Sequence, residues 1–128
     1  MTNPTHETYR QRILKVQLHI QVNLGEDLAL ERLARLAHFS PYHFSRIFKG
    51  IVGEGVYEYV RRLRLESAAV ALKTTGRGVI QVALDAGYTT HEAFTRAFRQ
   101  MFGVSPTQFR AGRAPLLKKE ATDMTAET

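Results

Sequence analysis

The side chains with the most chemistry to offer are cations and hydrogen-bonding groups that recur at helical spacing in two places. In the first, Tyr42, Ser45, Arg46 and Lys49 fall at i, i+3, i+4 and i+7, one face of a helix. In the second, Glu92, Thr95, Arg96 and Arg99 keep that phase, with His91 beside them. Arginine can engage guanine O6 and N7 with two parallel hydrogen bonds, and serine, threonine and histidine reach base edges or phosphates. Such a face suits the major groove of a duplex. A single helix of this kind would be an ordinary solvated basic face; two in matching phase argue for DNA.

Other chemistries are poorly served. The histidines, His6, His19, His38, His43 and His91, form no HExxH pair and stand nowhere four apart. His38 and His43 come nearest to metal spacing, but they straddle a turn and lack an obvious carboxylate partner. Cysteine is absent, which removes thiol nucleophiles, thiolate metal sites and disulfides. No glycine-rich phosphate loop of the P-loop type occurs. The expectation is therefore no enzyme, no cofactor and no metal. Apolar runs fall far short of a membrane span, and the polar stretch Met1–Arg12 lacks the apolar core of a secretory signal. The expected compartment is the cytoplasm, on the nucleoid, with no membrane partner.

Charge points to a polyanion. Lys and Arg number 18 against 12 Asp and Glu, a formal net charge of +6. Residues 113–128 carry three of each sign, so the whole excess lies in residues 1–112.

The elements that must position these residues read as helices throughout, an all-α class. Asn3 and Pro4 offer a cap and a first-turn proline. Ile13, Val16, Ile20 and Leu24 then recur at helical spacing, with Leu14 and Leu18 alongside, until Gly25. Asp27 is placed to cap a short helix carrying Leu30, Leu33, Ala34 and Ala37. Ser40-Pro41 opens the next, with Phe44, Ile47, Phe48 and Ile51 on its inward face. Gly53 and Gly55 break it. A longer helix follows from about Val56 to Thr74, then a short one from Val79 to Ala86 that ends at Gly87. Thr89 and Glu92 stand at capping-box spacing ahead of Phe94, Ala97, Phe98 and Met101. After Gly103, Ser105-Pro106 starts a last turn through Phe109.

Two of these segments repeat each other. Ala34 matches Ala83 and Phe39 matches Tyr88 at an offset of 49. One inserted residue later the offset is 50, pairing Phe44 with Phe94, Ser45 with Thr95, Arg46 with Arg96, Phe48 with Phe98 and Lys49 with Arg99. Gly53 then pairs with Gly103 and Tyr59 with Phe109. Each copy is a short helix, a tight turn and a second helix, the pattern of a helix-turn-helix. Small Ala83 lets the two helices touch, and Gly87 can take the left-handed conformation of the turn; His38 replaces it in the first copy, a residue type that tolerates positive φ better than most. The connecting helix, roughly 28 Å long at 1.5 Å per residue, compares with the spacing of about 34 Å between successive major-groove faces. One monomer would then read an asymmetric site.

The stretch from Ser40 to Lys49, SPYHFSRIFK, is similar to the first reading helix of the AraC/XylS family of bacterial transcription regulators. Its second motif and signature resemble Ala83 to Tyr88, Ala93 to Arg99, Phe102 to Pro106 and Phe109-Arg110. The resemblance spans about Leu28 to Arg110. It implies a two-motif DNA-binding domain that often activates transcription by recruiting RNA polymerase at a promoter. Carried onto this sequence, it gives Tyr42, Ser45, Arg46, His91, Glu92, Thr95 and Arg96 as base-readers. Ser40, Lys49, Thr89 and Arg99 fall to phosphates. Glu92 either accepts from a cytosine amino group or caps its helix, capping being preferred. Most relatives add a sensor domain, and residues before Leu28 suffice for one helix only. The chain is thus expected to stand alone or to be the N-terminal part of a longer regulator, with residues 113–128 a tail or linker.

The sequence accordingly predicts about seven helices, in a first subdomain over 1–75 that includes the connecting helix and a second over 76–112. The reading helices are expected at about 41–52 and 90–102. The alternative is a non-catalytic RNA-binding or protein-adaptor helical module.

Overall fold

The structure, a computed structural model, describes residues 4–112, with side chains from Thr8 onward. The expected cap at Asn3 and the expected tail over 113–128 lie outside the described residues. Seven helices follow one another, α1 (Pro4–Val22), α2 (Leu30–Leu36), α3 (Pro41–Val52), α4 (Val56–Thr74), α5 (Val79–Asp85), α6 (His91–Phe102) and α7 (Pro106–Arg110), and no strand occurs among the described residues. They divide into two compact units between Leu63 and Arg64, within α4 rather than after its last residue. The reason lies in the burial. Tyr59 and Val60 belong to the first core, whereas Leu65, Ala68, Ala69 and Leu72 belong to the second.

In the first unit, Ile13, Val16 and Ile20 of α1 are completely buried against Leu33, Ala34 and Ala37 and against Phe44 and Phe48 of α3. In the second, Val82, Ala83 and Ala86 meet Phe94, Ala97, Phe98, Phe102 and Phe109. The two cores repeat each other in detail. Phe44–Phe48 and Phe48–Tyr59 have centroids 5.6 and 5.4 Å apart at interplanar angles of 55° and 70°. Phe94–Phe98 and Phe98–Phe109 give 5.7 and 5.5 Å at 53° and 71°. Tilted and edge-on ring pairs of this kind add about 0.5–1.5 kcal/mol beyond their buried area.

The turns repeat as well. His38 takes φ of 61° and Gly87 φ of 92°. The Phe39 amide donates to the Ala34 carbonyl at 2.9 Å and the His38 amide to Arg35 at 3.0 Å. Tyr88 to Ala83 and Gly87 to Leu84 reproduce both bonds at 3.0 Å. This is a Schellman closure in each unit, and it satisfies two carbonyls that the first helix would otherwise leave bare. Gly53 and Gly103, at φ of 95° and 80°, end α3 and α6 with a simpler left-handed closure, a single bond from the glycine amide to the carbonyl of Lys49 or Arg99.

Some ends differ from expectation. Asp27 does not cap α2: Ala29 does, without a side-chain bond, because Leu28 packs on the first core and holds the chain extended until Leu30. Helix α1 stops at Val22 instead of running to Gly25; the Asn23 side chain donates to the His19 carbonyl at 2.8 Å. Arg110 reaches back to the end of α4, donating to the carbonyl of Leu72 at 3.0 Å and to that of Thr75, just past the helix, at 3.4 Å. A full capping box forms at α7, between Ser105 and Gln108.

The left-handed turns make a direct prediction. A Cβ on Gly87 would lie 3.3 Å from Arg64 Nη1 at an unfavourable φ. Gly87→Ala should therefore cost about 1–2 kcal/mol, whereas His38→Gly should be neutral or stabilising. Denaturant melts of the two variants check the pair.

Candidate nucleic-acid interface

Each unit builds its outward face by burying the opposite one. In α3 the inward positions are Phe44 and Phe48, with Ile47 and Ile51 half-buried behind them. That leaves Tyr42, His43, Arg46 and Lys49 exposed and Ser45 half-buried. Ser40 caps the helix, its Oγ accepting from the His43 amide at 3.3 Å, with Pro41 in the first turn. The same Oγ lies 3.0 Å from His43 Nδ1. Its capacity for a phosphate is thus shared with two internal contacts.

Arg46 is engaged within its own helix. Its Nη1 donates to the Tyr42 hydroxyl at 2.8 Å, and its guanidinium stands 5.6 Å from that ring's centroid. Tyr42 itself is 66% exposed, so the pair stands out from the helix as one preset group. Lys49, in the last turn, is exposed and has no side-chain partner among the described residues; the helix dipole favours a cation there.

In α6, Phe94, Ala97, Phe98 and Phe102 are buried. His91, Glu92, Thr95, Arg96, Arg99 and Gln100 together line one open groove of about 500 Å³. The structure thus brings the expected residues of the second motif onto one surface and adds Gln100, legible as the outward position four residues after Arg96. Arg96 and Arg99 make no ion pair among the described residues, whereas elsewhere Arg62 is paired with Glu54 and Arg77 with Asp85, each at 2.6 Å.

Two expected roles change. The box between Thr89 and Glu92 does not form: Thr90 is the cap, its hydroxyl accepting from the Ala93 amide at 3.1 Å. Thr89 is the residue inserted relative to the first copy. The Schellman closure ends at Tyr88, so the extra residue pushes the cap one place on. Glu92 is left exposed in the first turn, where the dipole favours a carboxylate. Thr95 differs in another way. Its Oγ1 is buried with no hydrogen-bond partner among the described residues. A threonine in a helix has two accessible χ1 wells, and only a change of well would turn this hydroxyl outward.

Two helix-turn-helix units on one chain, each exposing Arg and a second cation three residues later on its second helix, define a two-motif helix-turn-helix protein. A family profile described as a helix-turn-helix domain matches residues 33–112. The HTH-type transcriptional activator AarP of Providencia stuartii is 32% identical over 106 residues, covering 82% of this chain and 78% of AarP. The right origin-binding protein of Escherichia coli K12 is 34% identical over 91 residues, 71% of this chain but only 32% of that protein. The chain spans about a third of the length of that relative. The DNA-binding domain of the global transcriptional factor AdpA, solved in complex with a target DNA, superposes with a TM-score of 0.72 at 28% identity, covering 77% of this chain and 89% of that one. The chain belongs to the AraC/XylS family of helix-turn-helix proteins.

The displaced cap is directly testable. Thr90→Ala should cost about 1 kcal/mol of stability and Thr89→Ala close to none. Thermal melts that rank the two the other way would restore the cap to Thr89.

Proposed function

We propose that this chain is a sequence-specific duplex-DNA-binding regulator of transcription, placing α3 and α6 in successive major-groove segments of one site. The observation that carries this reading is the duplicated face. Arg46 and Lys49 recur as Arg96 and Arg99 on equivalent helices, and all four lack a carboxylate partner among the described residues. The AdpA domain's complex with a target DNA supports the same use of the fold.

Within this reading Arg46 and Arg96 contact base edges, with Tyr42, Ser45, His91, Glu92 and Thr95 around them. Lys49 and Arg99 contact phosphates, and Ser40 and Thr89 flank the helices at the backbone. Two reading helices on one chain let a monomer occupy an asymmetric promoter site. Activation is suggested by AarP, named a transcriptional activator, and contact with RNA polymerase by the family resemblance. The work is binding rather than catalysis, in the cytoplasm. No helix among the described residues is long and apolar enough to cross a membrane. The alternative, an RNA or adaptor module, draws on no observation of its own.

Selection from a random duplex library supplies the site, and variants assign the roles. Arg46→Ala or Arg96→Ala should cost about 1–3 kcal/mol on the selected duplex and relax preference at one position. Lys49→Ala or Arg99→Ala should weaken all duplexes alike and reduce the salt slope by about one. Equal losses on selected and random DNA for the two arginine variants would overturn the base-reading assignment.

A further inference from the structure

The internal repeat reaches one element further than the helix-turn-helix. On α1, Ile13, Val16 and Ile20 are wholly buried; on α4, Leu65, Ala68 and Leu72 hold the same spacing and are buried in the second core. An arginine stands immediately before the first residue of each set, Arg12 and Arg64. Both reach the turn of their own unit. Arg12 Nη2 donates to the His38 carbonyl at 2.8 Å, and its guanidinium lies 4.2 Å from the Phe39 ring centroid. Tyr9 meets the same ring edge-on at 5.1 Å. Arg64 Nη1 lies 3.3 Å from where a Cβ on Gly87 would sit.

We infer that Arg12 is a positioning residue, holding the left-handed turn of the first helix-turn-helix through its bond to the His38 carbonyl so that α3 keeps a fixed angle to the duplex, with Arg64 packed at the corresponding place beside Gly87. The inference rests on the DNA-reading role proposed above. Its physical basis is local. The carbonyl of the left-handed residue has left the ladder of α2, and a charged donor satisfies it more strongly than a neutral one. In the first unit the burden is greater, because His38 carries a Cβ where Gly87 carries none. The stacked guanidinium also fixes Phe39, whose amide closes the turn. Arg12 lies outside residues 33–112, so the first reading unit extends beyond the stretch the family profile covers.

The test uses the full chain with Arg12→Ala, Arg12→Lys, Arg64→Ala and the double variant Arg12→Ala/His38→Gly. Amide exchange at Phe39 and Tyr88 reads the two turns without DNA. Arg12→Ala should speed exchange at Phe39 about tenfold and leave Tyr88 unchanged, whereas Arg64→Ala should leave Phe39 unchanged. His38→Gly should restore most of the lost protection. Arg12→Lys keeps the charge and most of the packing, yet should lose protection too; it serves if the alanine variant fails to fold. On the library-selected duplex, Arg12→Ala should weaken binding about tenfold, with discrimination lost only in the block read by α3. Unchanged exchange, equal loss at both turns, or no rescue by His38→Gly would overturn the brace. A wild-type chain that selects no duplex, with exchange behaving as expected, would overturn the DNA-reading role and leave the brace standing.

Discussion

In each unit the path of the chain depends on one residue held at positive φ between two helices. With His38 or Gly87 in that conformation, the next amide closes on the alanine five residues back, and the chain leaves at the angle that seats Phe44 or Phe94 in the core. Once that ring is buried, the helical period fixes the rest of the second helix. Phe48 or Phe98 must follow inward, and Arg46 with Lys49, or Arg96 with Arg99, must face out. A left-handed residue costs an ordinary L-amino acid about 1–2 kcal/mol. The bonds and ring contacts around the turn offset that cost, and the outward face exists because they do.

The same scaffold carries two differently prepared faces. In the first, Tyr42 and Arg46 form a hydrogen-bonded, stacked pair that presents the guanidinium in one arrangement. In the second, Glu92 occupies the equivalent place, and Arg96 has no partner among the described residues. On the proposed reading, the first arginine would lose less conformational entropy on engaging a base, and the second would have more freedom to follow the groove. The buried hydroxyl of Thr95 belongs to that second face, and a base contact through it would need a rotamer change that the first face does not.

Much of the fold was legible because it is written at short range. The limits of α4 and the inward phases of α3 and α6 follow from residues within a few places of one another, and the left-handed residue at position 38 from its match to Gly87 in the repeat. The cap of α2 was not, because Leu28 docks on a distant core and overrides the local appeal of Asp27. The cap of α6 was displaced by the insertion at Thr89, whose position within the turn depends on where the Schellman bonds close. The roles of Arg12 and Arg64 rest on contacts across 26 residues in the first case and on a register shift that hides the extended repeat. Side-chain detail such as the Thr95 rotamer leaves no trace in the pattern of types.

Whether DNA meets this chain through α3 and α6 together is read by chemical-shift mapping on titration with a cognate duplex. At about 0.15 M salt amides at the starts and outward positions of α3 and α6 should shift together and saturate at one duplex per chain. Shifts concentrated instead on the exposed apolar positions Leu14, Leu18 and Val22 of α1, or on Ile80 and Leu84 of α5, would contradict it.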